Sequence, residues 1–170
     1  MSSRLLRRGL TAAGCALTLA ATPAFAECPL ELATYRDTPS GARLEFTPTG
    51  EGATVTNRFR LLLDNDMVLD GIVMWTTDVS RPYGIVMNKC PEGDVTGEEL
   101  SACTLWEGVI YAVDKVGDVT LLPAEGSDAP NRLLLPDLGP SLAASTAYGV
   151  DGFQNILQTF SLKTDARNDR

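Results

Sequence analysis

The 170 residues include no histidine, and that absence removes most of the familiar chemistry. Without imidazole there is no Ser-His-Asp or Cys-His arrangement, and zinc, copper and haem lose their commonest nitrogen ligand. A general base working near neutrality has to be an Asp, Glu or Lys with a shifted pKa. The four cysteines are not clustered as a structural zinc or iron–sulfur site requires. No G-x-S-x-G, phosphate-cradling glycine loop or S-x-x-K pattern occurs. The sequence therefore assigns no catalytic residue, no cofactor and no metal ligand.

Carboxylates are the remaining route. Glu98, Glu99 and Glu107 lie close in sequence, with Asp94 nearby. A glycoside hydrolase needs two such groups facing each other across a cleft at a set separation. A chain with 22 acids brings some together by chance, so a solvated loop with helix-capping acids is the better reading. Asp64, Asp66 and Asp70 imitate the start of a calcium loop. Val68 stands at its fifth position and Leu69 where the sharp-turn glycine belongs, so a hairpin turn explains them better. Trp75, Tyr83, Trp106 and Tyr111 read as core or edge aromatics on strands rather than a ligand pocket.

Thiol chemistry is structural. Cys90 and Cys103 enclose a segment that can turn back at Gly93 and Gly97, and a disulfide between them is expected. Such a bond restrains the unfolded chain by roughly 3 kcal/mol in the loop-entropy picture. Cys28 is a third thiol. It pairs with one of the others, stays buried, or links two chains; no neighbouring base makes it reactive. The braced loop, with Glu92, Asp94, Glu98 and Glu99, is the candidate binding loop, because a cross-link pre-organises it.

A disulfide presupposes an oxidising compartment, and residues 1–26 supply the route to one. Arg4, Arg7 and Arg8 precede an apolar stretch, and Ala24-Phe25-Ala26 has the small-x-small form of a signal-peptidase site. Cleavage is expected after Ala26, and the protein is expected in the periplasm or outside the cell. The Arg7-Arg8 pair leaves ordinary and twin-arginine export both open. The stretch is too short and too interrupted for a permanent span. Removing these three arginines from 14 basic residues leaves 11 against 22 acids, a formal charge of −11. No basic run follows Arg8, so neither nucleic acid nor an anionic membrane is expected as partner.

The elements that must carry these residues read as strands and turns. Residues 30–35, 42–47, 54–63, 67–77, 83–88, 106–113, 119–122, 132–135 and 157–163 are expected strands, most of them with period-two alternation. Gly71 marks a bulge or a close backbone contact. Thr96 and Glu99 have capping-box spacing for a short helix to about Ala102. Residues 137–147 read as a second, with Pro140 in its first turn. The fold class is mainly β: a small antiparallel β-sandwich or barrel with one or two short helices. It forms a single domain over 27–164, followed by a flexible tail at 165–170.

These features point to an exported, acidic, non-enzymatic β domain that binds a protein or envelope component, a cationic envelope protein being the natural partner. In acidity and size it resembles, in general type only, the periplasmic lysozyme inhibitors; no motif carries the name. A carboxylate-based hydrolase of envelope polysaccharide and a carrier of a small apolar ligand are the alternatives.

Overall fold

Short apolar–polar alternations separated by turn residues become a ladder of antiparallel strands. The structure is a computed structural model and describes residues 28–50, 55–93, 95–145 and 159–163. The expected leader, the tail at 165–170, Asp94 and the segment 148–153 lie outside these. The strands are β1 (Thr34–Arg36), β2 (Arg43–Thr47), β3 (Asn57–Leu62), β4 (Val68–Trp75) and β5 (Pro82–Met87), then β6 (Thr104–Val109), β7 (Tyr111–Val113), β8 (Val119–Leu121), β9 (Arg132–Leu134) and β10 (Thr159–Leu162). Helix α1 (Gly97–Cys103) lies between β5 and β6, and α2 (Leu138–Ala144) between β9 and β10.

All ten strands form one antiparallel sheet in the order β6-β5-β4-β3-β2-β1-β10-β9-β7-β8. Strands β6 and β7 are separated by Ile110 alone, yet stand near opposite ends of that order. The sheet therefore curls until its ends approach, giving a half-barrel rather than a two-sheet sandwich. The stretch expected as one strand over 106–113 is in fact two, because the chain turns at buried Ile110 from one end of the sheet to the other.

The inner face carries the core. Tyr35, Leu44, Phe46, Phe59, Leu61, Leu69, Val73, Val86, Trp106, Leu133 and Phe160 are all buried in one cluster. Tyr35 meets Phe46 edge-on at 5.9 Å between ring centroids, and Phe46 meets Phe59 at 5.8 Å. Such pairs add about 0.5–1.5 kcal/mol each beyond their burial. Helix α2 packs beside β6 and drives Leu138 and Leu142 into the core, with Pro140 in its first turn. The Trp106 indole N–H donates to the Pro136 carbonyl at 2.8 Å, so the largest apolar side chain brings its one polar atom in paired.

Turn chemistry fixes the register. The Asp114 carboxylate accepts from the backbone N–H groups of Val116, Gly117 and Asp118 at 2.8–2.9 Å, closing the β7–β8 hairpin. The Asn65 side chain accepts from the Met67 N–H, and Asp66 is left-handed at φ 62°. This is the hairpin turn expected of the Asp64–Asp70 stretch.

Residues 30–35 depart from the expected strand. Leu30–Leu32 form a 3₁₀ turn after Pro29, with Leu32 N–H on the Pro29 carbonyl and Ala33 N–H on that of Leu30. Leu30 is fully buried and Leu32 is 63% exposed. The turn advances about 120° per residue, so leucines two apart do not share a face. Strand pairing begins only at Thr34.

Candidate functional site

The braced loop is where sequence and fold converge. The Cys90–Cys103 disulfide is present, with Cα atoms 5.3 Å apart. It ties the approach to α1 to that helix's last residue. Thr96 caps the other end: its hydroxyl accepts from the Glu99 N–H at 3.3 Å, while the Glu99 carboxylate accepts from the Thr96 N–H at 2.9 Å. That reciprocal pair is the capping box expected from the spacing. No residue of α1 is buried. A seven-residue helix has little stability of its own in water. Here the cross-link and the cap hold it rather than a packed apolar stripe.

The expected loop acids divide by role. Glu92 and Glu98 are exposed. Glu99 is also exposed, but its carboxylate is engaged by the cap, and the bonds from Thr96 hold its carboxyl below the usual glutamate range. Glu125, bonded by the N–H and hydroxyl of Thr49, is likewise held low. A general acid needs the opposite shift.

A shallow cleft of about 460 Å³ lies between α1, β6 and α2, lined by Ile85, Leu100, Ser101, Thr104, Glu107 and Ser141 among others. Among the described residues, Glu107 is the one acid lining it. Its charge lies near Tyr83, whose phenol is pushed up by burial first and then by Glu107. The structure thus separates Glu98, Glu99 and Glu107: one projects, one caps and one meets Tyr83.

The four aromatics also part. Trp106 is core, Tyr83 and Tyr111 are half-buried, and Trp75 is 45% exposed at the end of β4. Cys28 is neither buried nor paired: it is an exposed free thiol. Its backbone explains this, because the Ala129 N–H donates to the Cys28 carbonyl and anchors the main chain at the rim of the sheet.

One feature escaped sequence reading. Arginines from several strands share the outer face of the sheet, although no basic run exists in the sequence. The signal is present only as period-two alternation inside each strand. Among the described residues no helix is long and apolar enough to cross a membrane. Comparison with known protein families, curated proteins and solved structures gives no significant match for this chain.

Proposed function

We propose that the chain is an exported acidic β domain that works by binding a protein or other component of the cell envelope, with the Cys90–Cys103 arm as its contact surface. The observation that carries this reading is helix α1, which has no buried residue and is nevertheless fixed by a disulfide and a capping box. Pre-organising an exposed element lowers the ordering cost of association. Glu92 and Glu98 give the arm an acidic surface suited to a cationic partner. The disulfide fits an oxidising compartment, and the arginine-led, A-x-A-terminated leader supports export.

Two observations weigh against the alternatives. The inner face of the sheet is occupied by buried side chains, where a carrier of an apolar ligand needs room. The acids near the cleft do not converge as a hydrolase requires. The test is binding to lysozyme, a cationic envelope-directed enzyme, before and after selective reduction of Cys90–Cys103. Binding that weakens on reduction supports the reading. Binding unaffected by reduction removes the arm from it.

A further inference from the structure

The curled sheet assembles a basic surface on an acidic protein. Register pairing places Arg132 of β9 opposite Ser161 of β10, Ser161 opposite Arg36 of β1, and Arg36 opposite Arg43 of β2. The inward neighbours Leu133, Phe160, Tyr35 and Leu44 are all fully buried, so these four residues share the outer face. Neighbouring strands lie about 4.8 Å apart, and the row therefore spans about 14 Å. Arg60 and Arg58 of β3 extend the same face through pairing with Glu45 and Thr47. Five of the chain's 14 basic residues thus stand on four strands, β9, β1, β2 and β3, with β10 between the first two and one acid, Glu45, among them.

Glu45 is already committed. It lies 3.4 Å from Arg43 and 3.5 Å from Arg60, and Asp70 of β4 stands opposite Arg60 on the other side. Arg36, Arg58 and Arg132 are exposed and make no ion pair among the described residues. Like charges directly opposite destabilise a sheet, so the Arg36–Arg43 pairing costs stability unless an anion is shared between them. The formal charge of −11 expected after loss of residues 1–26 repels polyanions at long range, but salt screens it within about 8 Å, leaving local contacts to decide.

We infer that the outer face of β9-β10-β1-β2-β3 binds an acidic polysaccharide. Guanidinium groups meet carboxylate or sulfate oxygens in pairs. The hydroxyls interleaved with them, Thr34, Thr47, Thr159 and Ser161, suit a hydroxyl-rich chain. The face carries no aromatic side chain, which a protein hot spot, a stacked base or a membrane-inserted anchor uses. Its convex curl meets an extended polymer along a row better than it meets a flat bilayer. The surface is separate from the disulfide arm, and each can fail without the other.

The test measures binding of the purified exported protein to polygalacturonate and to dextran sulfate, with neutral dextran and phosphatidylglycerol vesicles alongside. Two variants of equal charge change are compared: Arg36→Gln on the face, and Lys89→Gln beside the disulfide, away from it. The expected result is binding to at least one acidic polysaccharide and not to dextran, weakened about tenfold or more by the face variant and less than about twofold by the control. Absence of binding to both polymers, equal losses in the two variants, or face-dependent binding to vesicles alone overturns the proposal.

Discussion

The Phe59 ring fills the space that a side chain on Gly71 would need. The two residues are directly paired across β3 and β4, and a Cβ at position 71 would stand 2.2 Å from the ring. The pairing there is regular, so Gly71 marks a close contact and not a bulge. Substituting Gly71→Ala forces the ring out of its place among Phe46 and its neighbours. The expected loss is about 1–3 kcal/mol in chemical denaturation, with part of it restored in a Gly71→Ala/Phe59→Leu double variant. Equal stability of Gly71→Ala and the parent contradicts this packing.

The cysteines make distinct predictions. With residues 1–26 removed, a thiol-reactive label should modify one site in the folded protein, Cys28, and two more only after reduction. Replacing Cys90 and Cys103 together with Ala should lower stability by roughly 3 kcal/mol in the loop-entropy picture and remove amide protection from α1. Protection that survives would show that packing, and not the cross-link, holds the helix.

The capping box gives α1 a pH dependence with a definite sign. Hydrogen bonds from Thr96 favour the charged form of Glu99, so its folded pKa lies below the unfolded one. Stability from this source is fully present above the ordinary glutamate range and is lost as pH falls through the lowered folded value. Amide protection factors in α1, corrected for the intrinsic pH dependence of exchange, should therefore fall on acidification, and Glu99→Gln should flatten the profile. An unchanged acid profile in that variant would assign the effect elsewhere, and Glu125 on Thr49 has the same sign.

Trp106→Phe keeps an aromatic ring in the core and leaves the Pro136 carbonyl without its donor. An unpaired buried acceptor costs about 1–3 kcal/mol, which urea unfolding measures. A change below about 0.5 kcal/mol, the scale of a neutral surface substitution, would show that this carbonyl finds water instead.

How far the sequence reaches is seen in particular residues. Alternation placed Leu44 and Phe46 on the core face of β2, and Phe59 and Leu61 on that of β3, because period two needs only local information. The capping box and the disulfide were equally local. Leu30 and Leu32 misled because three residues are too few to separate an extended from a 3₁₀ period. The arginine row was out of reach for a different reason. Arg36 and Arg132 are 96 positions apart in the numbering, and only the insertion of β10 between β1 and β9 brings them to one face. Register between distant strands is set by the whole core, so a surface built across strands leaves no run in the sequence.

As proposed, the acidic arm is a contact surface for a cationic envelope protein. Calorimetric titration of the protein purified without residues 1–26 against lysozyme and other cationic envelope hydrolases, with Glu92→Lys/Glu98→Lys as the comparison, tests it most directly. The expected result is saturable binding to at least one of them, weakened about tenfold or more by the charge reversal. Absence of binding to any of them, or binding that ignores the reversal, contradicts it.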